Sequence, residues 1–172
     1  MGDVYKHIWL RLQLIALTPL RNKKGVQMCN NDFSGKFISY LHRYGQIYID
    51  KKIEPYGIGS GQFSFLMRLY HEDGVNQEYL SNYLKMDKAT TTRALKKLVD
   101  KGYVFKKIDE GDRRSYMIFL TDKGKKLEPD MKKIASEWED ILLSGFDKSQ
   151  RKDIMNSLEM MFKNVSEIMQ DK

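Results

Sequence analysis

The chain has 172 residues, of which 41% are hydrophobic and 31% charged, with 3 prolines and a net charge of +7. That length suits one domain, or a small domain with a helical attachment, and is too short for two ordinary enzyme domains; the composition argues against both a disordered chain and a many-stranded β protein. The charge is concentrated, because residues 85–126 hold 13 Lys and Arg against 6 Asp and Glu, while the remainder carries 17 of each sign. An excess confined to one block points to a polyanionic partner.

The lone Cys29 excludes an intrachain disulfide, and no Cys and His cluster has zinc spacing. No run approaches the roughly 18 unbroken apolar residues of a membrane span. A cytoplasmic protein with no metal, cofactor or membrane partner is therefore expected.

Residues 1–30 read ambiguously. Leu10-Arg11-Leu12-Gln13-Leu14 alternates like a strand, whereas Val4, Ile8, Leu12 and Ile15 are spaced like one helix face. The most apolar stretch, residues 8–20, is interrupted by Arg11 and Gln13 and lacks a small-residue cleavage site, which argues against a signal peptide. Residues 1–30 are taken as an N-terminal extension of unassigned role, with Met28 as one candidate natural start.

From Asn31 or Asp32 as N-cap, Phe33, Phe37, Leu41, Tyr44 and Tyr48 recur at helical spacing and predict one long amphipathic helix to about Lys52. Pro55-Tyr56-Gly57-Ile58-Gly59 reads as a loop. Ser60 can cap a second helix that buries some of Phe63, Leu66, Met67 and Tyr70 before Asp73-Gly74 stops it. Asn76 can cap a third, short helix through Leu80, Tyr83 and Leu84.

Asp87 is the strongest N-cap signal, since its carboxylate accepts backbone N–H groups and meets the positive helix end. With Thr91, Leu95 and Leu98 as the buried stripe and Gly102 as the stop, Ala89, Arg93, Lys96, Lys97 and Asp100 fall on the opposite face, with Thr90 at its edge. Such a face suits a DNA major groove: Arg bonds guanine, Thr and Ala meet a thymine methyl, and Lys neutralises phosphate.

Residues 103–108 and 116–120 are β-branched and aromatic runs around the polar tip Asp109-Glu110-Gly111-Asp112-Arg113-Arg114-Ser115, which predicts a hairpin. Thr121 caps a further helix bearing Leu127, Met131, Ile134, Trp138 and Ile141, with a kink or irregular first turns expected at Pro129. Gly145 breaks this run, and Asp147 can cap a last helix with Ile154, Leu158, Met161, Val165 and Ile168 in a heptad-like stripe. These terminal stripes are more apolar than a lone helix pair can bury.

Two helices with a brief connector, followed by a basic hairpin, form a winged helix-turn-helix arrangement. Asn76-Gln77-Glu78-Tyr79-Leu80, Leu84-Lys85-Met86-Asp87-Lys88, Thr90-Thr91-Thr92-Arg93, Leu95, Leu98, Lys101-Gly102-Tyr103-Val104, Asp112-Arg113-Arg114 and Leu120-Thr121-Asp122-Lys123-Gly124 together resemble the MarR family of bacterial transcriptional regulators. The resemblance implies a mainly α fold: residues 57–121 form a winged helix-turn-helix with a two-stranded β wing, and residues 31–56 and 122–172 form a helical dimerisation region. It further implies that Arg114 enters the minor groove, that Asp112 holds Arg114 by an ion pair, and that the helix from Lys88 reads bases. The DNA-contacting set is then Lys88, Ala89, Thr90, Thr92, Arg93, Lys96, Lys97, Asp112, Arg113 and Arg114. Lys85 departs from the family, which often has Gly there, so a left-handed residue costing about 1 kcal/mol is expected. Thr91 stands where an aliphatic residue is common.

By the same resemblance, Tyr40, Tyr44, Tyr48, Met67, Tyr70, Met131 and Trp138 bound a crevice that takes a small phenolic or hydrophobic effector; read from spacing alone, they are core. No Gly-rich phosphate loop or paired nucleophile and base suggests an enzyme. The expected function is a homodimeric, sequence-specific repressor on double-stranded DNA with an inverted-repeat operator. Two alternatives remain open: a metal- or redox-responsive regulator using His71 or Cys29, and a winged-helix protein-interaction module.

Overall fold

The computed structural model describes residues 34–112 and 115–170. One compact unit is Ser34–Leu142, and residues 143–170 lie in a second. The first comprises α1 (Ser34–Ile53), a 3₁₀ turn (Glu54–Tyr56), α2 (Ser60–His71), β1 (Val75–Asn76), α3 (Gln77–Tyr83), α4 (Lys88–Asp100), β2 (Val104–Ile108), β3 (Tyr116–Leu120), α5 (Asp122–Lys126) and α6 (Glu128–Leu142). The fold is mainly α, as the spacing predicts.

The two strands of the wing, β2 and β3, pair as expected, and β1 joins them in a three-stranded antiparallel sheet of order β1-β3-β2. Its extra member is two residues long and carries no periodicity. It exists because Gly74 N donates to Ile118 O at 3.1 Å and places Val75 opposite Ile118. Gly74 makes the turn at φ 72°, where a Cβ would lie 2.6 Å from the Phe119 ring.

Fully buried Ile53, Phe65, Leu66, Leu69, Leu80, Leu95, Leu98 and Ile118 join α1 to α4 and the sheet in one core, with Met131 entering from α6. The stripe of α1 is helical as expected but largely uncovered, since Phe37, Leu41 and Tyr44 are all more than half exposed. Only the later part of α1 is tightly packed: Gly45 is buried with a would-be Cβ 3.2 Å from the Trp138 ring of α6. Gly59 and not Ser60 is the N-cap of α2: its carbonyl accepts from Gln62 N at 2.8 Å and Phe63 N at 3.2 Å, while Asp50 Oδ1 accepts from Ser60 N at 2.5 Å and Gln62 Oε1 accepts from Gly59 N at 3.0 Å.

The expected irregularity at Pro129 is a break: α5 ends at Lys126, Leu127 turns the chain, and Pro129 sits in the first turn of α6, where its missing N–H removes no helical bond. Thr121 caps α5 through Gly124 N at 3.0 Å. In the second unit, α7 (Lys148–Gln170) opens with a reciprocal cap: Asp147 Oδ1 accepts from Gln150 N, and Gln150 Oε1 accepts from Asp147 N, each at 2.9 Å.

Candidate nucleic-acid interface

Helix α3 is fixed at its start by Asn76 Oδ1, which accepts from Tyr79 N at 2.6 Å. At its end, Met86 N donates to Ser81 O at 3.0 Å, Lys85 N donates to Asn82 O at 3.3 Å, and Lys85 takes φ 53°. That is a Schellman closure with a lysine where glycine fits without cost, as the departure at this position implied. Among the described residues Lys85 is the one non-glycine with positive φ. Ser81, itself buried, donates its hydroxyl to Met86 O at 2.6 Å and sets the exit angle of the connector.

The connector delivers Asp87, whose Oδ1 accepts from Thr90 N at 2.8 Å and whose Oδ2 accepts from Thr90 Oγ1 at 2.7 Å. These bonds hold its carboxyl below the usual carboxylate range. Helix α4 ends in a second Schellman closure, with Tyr103 N donating to Leu98 O at 2.9 Å and Gly102 N to Val99 O at 2.8 Å, at a Gly102 φ of 71°. Thr91, Ala94, Leu95 and Leu98 are buried along one side. Full burial of a leucine side chain stabilises by about 1.5–3 kcal/mol, so this stripe fixes the rotation of α4 on the core. Lys88, Ala89, Thr92, Arg93, Lys96 and Lys97 are thereby exposed, with Thr90 half-buried.

Arg93 Nη2 donates to Thr90 Oγ1 at 3.1 Å, and Thr92 Oγ1 donates to Lys88 O at 2.8 Å. Lys88 and Glu78 stand 3.6 Å apart on an exposed surface, a weak pairing. At the wing tip, Asp109 Oδ1 accepts from Gly111 N at 2.9 Å, its Oδ2 accepts from Ser115 Oγ at 3.1 Å, and Ser115 N donates to Asp112 O at 2.8 Å. Asp112 is exposed beside that turn. Arg113 and Arg114, and with them the expected Asp112–Arg114 ion pair, fall outside the described residues, as do residues 1–33, with Cys29, the expected cap Asn31 or Asp32, and Phe33.

The wing is anchored to the helices by several polar bonds. Asp73 Oδ1 accepts from Leu120 N at 2.8 Å, Thr121 Oγ1 donates to Gly102 O at 2.7 Å, and Tyr103 OH donates to Tyr56 O at 3.0 Å. Gly124 packs so closely that a Cβ there would sit 2.1 Å from Tyr103 O.

The seven aromatic and methionine residues expected to line an effector crevice occupy several settings. Tyr48 and Trp138 meet with ring centroids 5.4 Å apart, and Tyr48 OH donates to Glu137 Oε2 at 3.0 Å. Tyr40 and Tyr44 are exposed, and Met131 is fully buried in the core. Tyr70 is half-buried and donates to Gly124 O at 3.1 Å; burial pushes its phenol well up. Met67 lines a groove of about 330 Å³ with Phe63, Ser64, Arg68, His71, Tyr83 and Leu84.

Two further residues hold positions that the sequence assigns no role. Arg68 is only 6% exposed, its Nη2 donates to Glu72 and to Tyr79 OH, and the Tyr83 ring lies 4.3 Å from its Cζ. The i+4 pair Tyr79 and Tyr83 is the available sequence signal for such a stacked arginine. Gln77, directly after the α3 cap, touches both α4 and the wing through its carboxamide, and no periodicity marks it. Among the described residues no group of three or more His, Cys, Asp or Glu is placed to hold a metal ion, and no helix is long and apolar enough to cross a membrane.

A model of the MarR family matches residues 58–116 of the chain. The chain is similar to a MarR transcriptional regulator from Methanosarcina mazei Go1, at 74% identity over 79% of this chain and 98% of that one, with a TM-score of 0.77. It is also similar to the uncharacterised HTH-type transcriptional regulator YybA of Bacillus subtilis (strain 168), 34% identical over 105 residues that span 61% of this chain and 70% of the relative. A protein from Listeria monocytogenes, solved in complex with a 26mer DNA, is 25% identical over 77% of this chain and 88% of its own, with a TM-score of 0.73. The capped α3, the exposed basic side of α4 and the hairpin wing thus belong to a known regulator architecture, and the chain is a member of the MarR family of transcriptional regulators.

Proposed function

We propose that the chain is a homodimeric, sequence-specific double-stranded DNA-binding repressor, acting on an inverted-repeat operator and released by a small hydrophobic or phenolic ligand. The observation that carries this reading is the division of α4. Four buried residues lock one side to the core, which leaves Ala89, Thr92, Arg93, Lys96 and Lys97 exposed together at the end of a helix-turn-helix. In a winged helix-turn-helix such a face enters the major groove, with half-sites of a dimer about one helical turn, roughly 34–36 Å, apart.

Dimerisation is supported by uncovered apolar residues on two helices, each taken by itself. On α1, Phe37, Ile38, Leu41, Tyr44 and Ile47 are at least half exposed; on α7, Phe162, Val165, Ile168 and Met169 are more than 60% exposed. Contiguous apolar surface of this kind marks an interaction site. Residues 31–56 and 122–172 are accordingly assigned to dimerisation and residues 57–121 to DNA. An effector acts only through different affinities for two spacings of the recognition helices, and Tyr48 with Trp138, or the groove at Met67, are the places to seek it.

Footprinting on the DNA upstream of its own gene, with a salt titration, tests the assignment. Two protected half-sites and a log–log salt slope of about −0.9 per phosphate contact are expected. Arg114→Ala is expected to weaken binding by about 1–3 kcal/mol while sedimentation still gives a dimer; unchanged affinity refutes the wing assignment. Trp138 fluorescence titrated with phenols tests release, and no spectral change together with no loss of DNA binding refutes it.

A further inference from the structure

Lys106 on β2, Gln77 at the start of α3 and Thr92 on the exposed side of α4 are remote in sequence but joined in a single hydrogen-bonded line. Lys106 Nζ lies 3.1 Å from Gln77 Oε1, Gln77 Nε2 lies 2.9 Å from Thr92 Oγ1, and Thr92 Oγ1 lies 2.8 Å from Lys88 O. The polarity of this line is fixed by chemistry. An ammonium can only donate, so the carboxamide oxygen must face Lys106 and the amide nitrogen must face Thr92. An amide nitrogen also only donates, so the Thr92 hydroxyl accepts from it and directs its own proton to the Lys88 carbonyl.

We propose that Gln77 is a specificity-determining positioning residue, which holds the Thr92 hydroxyl in one rotamer and ties the recognition helix to the wing. Thr92 then presents DNA with its methyl group and one acceptor lone pair, and has no proton to offer. It discriminates for a thymine methyl or for an exocyclic amino donor on adenine or cytosine, and against the acceptor-only edge of guanine. Lys106 is half-buried, its ammonium 3.1 Å from Gln77 Oε1, which agrees with a tethering role. This inference rests on the reading that α4 enters the major groove.

The test is a binding-preference measurement on a library of operator variants, for wild type, Gln77→Ala, Gln77→Glu, Thr92→Val and the Gln77→Ala, Thr92→Val double variant. Circular dichroism confirms folding of these surface variants. Gln77→Ala is expected to relax preference at one base pair of each half-site by about five- to tenfold. Its salt slope stays unchanged, whereas Lys97→Ala, losing a phosphate contact, lowers the slope by about 0.9. Gln77→Glu keeps the acceptor for Lys106 but cannot donate to Thr92, so its preference shifts as well. In the Thr92→Val background, Gln77→Ala is expected to change preference no further.

Equal weakening on every library member, or an undiminished shift in the Thr92→Val background, overturns the role of Gln77 while leaving base reading by α4 intact. If Thr92→Val itself leaves preference unchanged, base reading by α4 at this residue fails, and the positioning role fails with it.

Discussion

Thr91 offers the sharpest check on the core beneath the recognition face. Its side chain is fully buried on the α4 stripe beside Leu95 and Leu98, and its hydroxyl has no hydrogen-bond partner. A buried polar group left unsatisfied costs about 1–3 kcal/mol. Valine has nearly the same shape and a similar helix propensity, so Thr91→Val removes the hydroxyl without opening a cavity. The expected outcome is a gain of about 1 kcal/mol, seen as a thermal midpoint raised by about 2–4 °C for a chain of this size. Melts must be compared at one protein concentration, because association shifts the midpoint by mass action. The urea midpoint should rise with an unchanged slope, and DNA affinity should hold, since Thr91 faces away from the basic side. A loss of stability would mean that the hydroxyl bonds within the helix or to its neighbours, and the account of this stripe would fall.

Lys85→Gly is expected to stabilise by about 1 kcal/mol in urea titrations, because φ 53° strains a residue with a Cβ and suits glycine. Gly124→Ala should destabilise by about 1–3 kcal/mol or more, since the new methyl would meet Tyr103 O at 2.1 Å and must push α5 from the wing; an unchanged melt would refute that contact. Lys52 and then Tyr48 hold the Glu137 carboxyl below its ordinary range. Its folded value is depressed, so its contribution is full above the unfolded carboxylate value and is lost as pH falls through the folded one. Glu137→Gln should therefore flatten the acid limb of the stability profile in that window, and an identical limb would count against the ion pair.

Features that depend on a few adjacent residues were legible in the sequence. Asn76, Asp87, Thr121 and Asp147 each cap the helix they precede, since a short side chain needs only the next turn's N–H groups to do so. The left-handed Lys85 is implied by the family resemblance, which often places Gly at this position. Ser60 lies one residue inside α2, with Gly59 as the cap, and its amide is held by Asp50, ten residues earlier, a contact that no local pattern carries. The two-residue β1 exists only through its pairing with β3. The stripe of α1 was legible as helical, but periodicity tells which residues share a face and not what covers that face. Arg68 reads as a surface residue, but it is buried with the Tyr79 and Tyr83 rings against its guanidinium.

Those limits bear on how α4 works. The side chains on the buried side that fixes its rotation, Thr91, Ala94, Leu95 and Leu98, make no hydrogen bond to the exposed side, so substitutions on the two sides should be separable in effect. Thr90 and Thr92 are different, because their hydroxyls are engaged by Asp87 and by Gln77. A threonine on a bare helix rotates to suit whichever base it meets. Here the cap residue bonds one hydroxyl and the preceding helix bonds the other, so, on the proposed reading, what α4 would offer a base is decided partly by residues outside α4. Changing its exposed residues alone would then transfer base preference to a related scaffold incompletely, unless Asp87 and Gln77 moved with them.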